Sequence, residues 1–158
     1  LTYMKKNLTT ILFALVAMMM PIGAWATAYE TPDFSDAKVL TAVDGSLYVD
    51  GVELGSTLPM GKYILKSNIE SIHWIYVREG EVMINLNGYT WDLNDIEIHI
   101  TSTLSIYDTS ANETGKICSD RNVIYLNNPE DGSQFNLYSG TLESRGATSF
   151  VIDASWGR

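Results

Sequence analysis

Three sets of side chains in this sequence have types and spacings that could do chemistry. Asp92, Asp95 and Glu97 lie close together, with Glu130 and Asp131 further on; Arg78, Arg121 and Arg145 offer cations; Tyr89, Tyr107 and Tyr138 offer rings. Calcium needs several oxygens converging at short range, and Asp92, Asn94 and Asp95 in one turn would supply some, which makes Asp92 and Asp95 the calcium candidates. The same residue types are what tight chain corners require, because Asn and Asp tolerate left-handed backbone and bond their own main chain. The corner is the better account of this group, and no cofactor is expected. An acid and a base must also meet in space to act together; none of the three arginines sits in a matching motif, so catalytic residues stay unassigned.

The other candidates divide in the same way. His73 and His99 are offset by one residue from Ile72 and by three from Ile96, so they do not share a strand position and read as ordinary strand residues rather than metal ligands. Cys118 is the sole cysteine; it cannot form an internal disulfide and reads as a small buried apolar side chain. No Gly-x-Ser-x-Gly elbow is present. Tyr107 and Tyr138 fall at alternate, outward-facing strand positions, and Tyr89 follows an Asn-Gly pair. An outward aromatic row could stack against the apolar faces of sugar rings, or Tyr could simply suit a sheet. Trp91 is expected to pack inward.

What must position these residues is a β-rich chain. It has 158 residues and a formal net charge of −9 at pH 7. Lys5 and Lys6, an apolar run from Leu8 to Gly23 and then Ala24-Trp25-Ala26 are the parts of a secretory signal peptide, with cleavage expected after Ala26 and Leu1 to Tyr3 lying upstream of the true start at Met4. Removing residues 1–26 takes two of ten basic residues and no acid, leaving 8 − 19 = −11. That balance opposes nucleic acid and anionic membrane surfaces as partners, and no membrane insertion is expected after cleavage. It suits a secreted, cell-surface or periplasmic protein, with calcium, extracellular polysaccharide or a cell-surface glycan as permitted partner, and a signal peptide without a disulfide framework reads as bacterial.

Between Val39 and Trp156 short runs of Ile, Val, Leu, Tyr and Thr alternate with Gly, Asn, Asp and Ser. One apolar series starts at Ile72, Ile96, Val123 and Ser149, spaced by 24, 27 and 26 residues; another starts at Glu81, Thr103 and Ser133, spaced by 22 and 30. Interleaved series of this period are the mark of a parallel β-solenoid with two or three strands per coil. The alternative is an antiparallel β-sandwich. The choice turns on Asn87-Gly88 in INLNGYTWDLN. As a hairpin turn it would fold 89–93 back on 83–87; as a solenoid corner it would leave Ile84 and Leu86 paired in parallel with Leu104 and Ile106. The solenoid further expects Phe135 and Leu137 to join that inward column, and Met83, Asn85, Ser105, Tyr107, Asn136 and Tyr138 to point outward.

The segments GKYILKSNIESIHWIYVREGEVMINLNGYTWDL (61–93), STLSIYDTSANETGKI (102–117) and SQFNLYSGTLES (133–144) resemble the right-handed parallel β-helix repeats, pectate-lyase-like in fold, of bacterial secreted and surface proteins. The resemblance implies an all-β, right-handed parallel β-helix of about three to four coils over 61–158. Residues 27–60, with Asp-Gly turns at 44–45 and 50–51, read as a leader and small cap. The repeat is cut mid-coil at Arg158, so the chain is expected to be part of a longer protein. The function expected from this resemblance is non-enzymatic: an adhesin-like or scaffold module, with carbohydrate as ligand. The competing expectation is a polysaccharide lyase or glycoside hydrolase whose catalytic coils are mostly missing.

Overall fold

The computed structural model describes residues 30–127 and 132–154. The signal peptide, its cleavage point and the acids Glu130 and Asp131 lie outside the described residues. The chain divides into two units at Pro32, and the strands of the described residues all lie in the unit from Asp33 onward.

Four coils of three strands each form the body. The first holds β4 (Gly61–Leu65), β5 (Ile69–Glu70) and β6 (Ile75–Val77); the second β7 (Glu81–Asn85), β8 (Thr90–Asp92) and β9 (Ile98–Ile100). The third holds β10 (Thr103–Tyr107), β11 (Lys116–Ser119) and β12 (Ile124–Leu126); the fourth β13 (Gln134–Leu137), β14 (Thr141–Ser144) and β15 (Ile152–Asp153). Equivalent strands pair in parallel, giving three faces: β4-β7-β10-β13, β5-β8-β11-β14 and β6-β9-β12-β15. The fold is therefore a parallel β-solenoid of about four turns and not a sandwich. Before it, β1 (Lys38–Val43), β2 (Ser46–Val49) and β3 (Val52–Glu53) form an antiparallel meander that extends the first face, with β1 parallel to β4. Its turns are Asp44-Gly45 and Asp50-Gly51, all four residues at positive φ, as two-residue hairpins require.

Asn87-Gly88 is a corner. Its residues take φ of 50° and 82°, yet β7 pairs in parallel with β4 and β10 on one face while β8 lies on the next. The expected register needs one correction, because Ile106 opposes Ile84 and Leu104 opposes Val82. That two-residue slip leaves the same side chains inward, since a strand repeats its facing every second residue. Like residues stack in columns, Ile75, Ile98 and Ile124 in one and Ile69, Trp91, Ile117 and Leu142 in another. In the last coil Ile152 and Leu137 continue their columns but are exposed, so Leu137 is not buried as expected. Trp91 is fully buried, with its indole N–H donating to Ser71 Oγ at 2.9 Å. Cys118 is buried as expected.

Two further corrections concern the faces. The sequence series mark the first and third faces, while the second reads as corner because its strands carry Thr, Asp, Lys and Glu on their outer side. The outward residues Asn85, Ser105 and Tyr107 are also buried. Asn85 bonds the following corner, with its side chain donating to Thr109 Oγ1 and accepting from the Thr109 N–H. Tyr107 is covered because Phe34 meets its ring edge-on at 5.3 Å, and the segment carrying Phe34 is tied to β4 by Lys62, which donates to Asp33 O and Asp36 Oδ1.

Candidate functional site

The outer sides of the three faces differ in what they offer. On the first, Tyr107 and Tyr138 stack at 4.8 Å with planes 14° apart. Each ring thus covers a face of the other, and Tyr107 is only 1% exposed. Tyr138 keeps 41% of its surface, while Tyr89 packs against the core at the Asn-Gly corner. The three expected platform residues do not form one exposed row.

The second face is an ion-pair network. Asp92 on β8 and Cys118 on β11 are register neighbours, as are Cys118 and Glu143 on β14. Arg145, just past β14, donates through Nη1 and Nη2 to the two oxygens of Asp92, both at 2.8 Å, and through Nε to Asp120 at 2.7 Å. Burial would raise the Asp92 pKa, but this fork and the Asn94 N–H outweigh it and hold the carboxyl below its usual range. Asp92 also raises the Arg145 pKa, which removes the guanidinium further from service as a base. Beside it Lys116 pairs with Glu143 at 2.6 Å. Of the calcium candidates, Asp92 has both oxygens occupied by Arg145, and Asp95 is exposed on the next turn. Among the described residues no group of three or more His, Cys, Asp and Glu is arranged to hold a metal.

The third face carries the constellation that the sequence reading passed over. Tyr76, His99 and Tyr125 are register neighbours on β6, β9 and β12, with ring centroids at 5.3 Å and 4.9 Å. Arg78 caps the outer end, its guanidinium carbon 4.4 Å from the Tyr76 centroid, and Asp153 follows Tyr125 in register on β15. Trp74, just before β6, meets His99 edge-on and remains 37% exposed. Glu97 holds the matching position before β9 and is largely buried. Its Oε1 lies 3.5 Å from His99 Nε2 without hydrogen-bond geometry; its Oε2 and that Nε2 are both buried and make no hydrogen bond among the described residues. Burial lowers the His99 pKa below its ordinary 6.5, and the nearby Glu97 carboxylate only partly pulls it back, so the site favours the neutral ring.

Next to this cluster a polar cleft of about 380 Å³ opens at the corner between the second and third faces, lined by Glu97, Arg121, Asn122, Thr148 and Ser149. A second cleft of about 510 Å³, more apolar, lies by Arg78, between Glu79 and the cap residues Leu54 to Met60. The third-face site therefore combines a half-open indole, an under-bonded carboxylate, an imidazole and an exposed arginine. His73 is exposed and stands apart from it. The signal for this site was in the sequence as Trp74 and Glu97, each one residue before an inward Ile of the same column, but reading it required the three-strand register. No protein-family model, curated protein or solved structure matches the chain, so the reading of the site rests on its geometry.

Proposed function

We propose that this chain belongs to an exported, non-enzymatic bacterial surface protein, a scaffold or adhesin-like module, whose third solenoid face binds carbohydrate. The observation that carries the reading is Trp74, an exposed aromatic surface held by His99, standing one coil from and level with Glu97, which lines the polar cleft. Sugar sites join a flat apolar surface for C–H groups to a few placed polar groups for hydroxyls. A solenoid supports this well, because parallel register fixes neighbouring side chains across coils without a mobile loop. The second face favours no lyase: its arginine is locked between two carboxylates instead of being poised to take a proton. Glycan-array binding of the residue 27–158 protein, repeated with Trp74→Ala and Tyr138→Ala, tests the proposal. Loss with the first variant and retention with the second is the expected pattern; binding that survives Trp74→Ala moves the site elsewhere.

A further inference from the structure

Resting on that reading, we infer that the third-face site selects a neutral sugar, and that Glu97 is its specificity-determining residue, accepting hydrogen bonds from hydroxyls that enter the cleft beside Trp74. A buried carboxylate oxygen without a partner is costly and needs a physical reason. A carboxylate oxygen accepts hydrogen bonds, so the ligand group that satisfies it must be a donor. The terminal torsion of a Glu side chain is broad, so either oxygen can turn toward the cleft without a rotamer penalty. His99 leaves Oε2 unsatisfied: its Nε2 lies 3.5 Å from the other oxygen, Oε1, in poor geometry and makes no hydrogen bond among the described residues.

The cleft also limits the ligand's charge. Glu97 repels a carboxylate or sulfate brought in beside it, and Arg121 on the same wall repels an ammonium. Among the described residues no ion pair engages the Arg121 side chain, and its donors can bond sugar oxygens. Asn122 is fixed by accepting from the Phe150 N–H at 2.8 Å and donating to Asp153 at 3.2 Å, which makes it a wall rather than an adaptable contact. A hydroxyl-rich ligand without formal charge can bond both Glu97 and Arg121, whereas an ionic one gains from one of these charges only what it loses to the other.

The test uses calorimetric titration of the residue 27–158 protein with neutral hexasaccharides of gluco, manno, xylo and galacto configuration, their fully O-methylated forms and a uronate hexasaccharide. At least one neutral hexasaccharide should bind, and its O-methylated form, which lacks hydroxyl donors, should not. Glu97→Gln replaces charge-assisted hydrogen bonds by neutral ones and should weaken binding by about ten-fold. Trp74→Ala separates the two levels of the proposal. If it abolishes binding while Glu97→Gln leaves affinity unchanged, the aromatic site stands and the role of Glu97 is overturned. Preference for the uronate, or equal binding of the O-methylated sugar, overturns it too, with no variant needed. If no oligosaccharide binds the wild type, the carbohydrate reading itself falls.

Discussion

Trp74 meets His99 edge-on across two successive coils, ring centroids 5.0 Å apart and planes at 76°. The contact fixes the indole from behind and leaves its outer surface to solvent. Trp74→Ala should therefore remove a binding surface more than a structural support. Because the side chain is 37% exposed, the loss of stability should stay near 1 kcal/mol, well under the ~3–5 kcal/mol of a fully buried aromatic. Sugar affinity should fall at least ten-fold. Denaturant titration beside calorimetry checks both; a variant that loses several kcal/mol would show Trp74 to be a core residue.

His99 should make binding and stability sensitive to mild acid. Its ring faces Tyr76 on β6, Tyr125 on β12, Trp74 and Glu97, with Arg78 over Tyr76 and Asp153 beyond Tyr125 as the flanking charges. Burial depresses its pKa below the usual 6.5, against the upward pull of Glu97. The unfolded chain thus takes up its proton first as pH falls. Stability from the neutral ring is present above pH 6.5 and is lost as pH drops through the lower folded value. The imidazolium formed there draws the Glu97 carboxylate to itself, so sugar affinity declines over the same range. His99→Gln should flatten both profiles between pH 7 and 5; unchanged profiles would detach His99 from the site.

The solenoid was legible because its inward columns repeat with nearly constant spacing and Asn87-Gly88 needs a positive-φ corner whichever fold it serves. The register was off by two residues because a slip of two keeps every side chain on its own side, so alternation alone could not detect it. The burial of Tyr107 was invisible for a different reason: its cover comes from Phe34, far away in sequence, and from Tyr138 one coil on. The third-face cluster likewise depends on which residues of different coils become neighbours. His99 looks isolated at its place in the sequence and becomes the centre of four aromatic and acidic contacts only when β6, β9 and β12 are aligned.

Arg145 clamps three coils together, from Asp92 in the second through Asp120 in the third to its own position after β14. Its side chain is 35% exposed, against 24% for Asp92 and 60% for Asp120, so solvent screens the pairs. Arg145→Ala should cost on the order of 1 kcal/mol, most of it from the two-pronged bond to Asp92. Arg145→Lys should recover less than half, since an ammonium cannot make the fork. High salt should narrow the difference between wild type and Arg145→Ala; a salt-independent gap would point to lost packing of the arginine stem instead.

Asp108 should be the most sensitive polar residue of the corners. It is 3% exposed, and its carboxylate accepts from the backbone N–H groups of Gly88, Ser110 and Gly115, joining the second and third coils where the chain turns between faces. Burial pushes its pKa up, but these bonds outweigh that and leave it below the usual 3.8. The stability they confer is present above pH 3.8 and lost as pH falls through the lower folded value. Asp108→Asn keeps one acceptor oxygen and turns an NH2 toward backbone donors, so at least one N–H is stranded, at a cost of about 2–3 kcal/mol. Gly115 is bound to the same carboxylate for a steric reason as well: a Cβ there would sit 2.6 Å from Asp108 Oδ2 and 2.6 Å from Leu86 Cβ. Gly115→Ala should therefore cost about 2 kcal/mol by forcing the corner apart. Because the two changes break one arrangement, the double variant should lose less than the sum of the singles. Full additivity in denaturant titrations would show that Asp108 and Gly115 act separately.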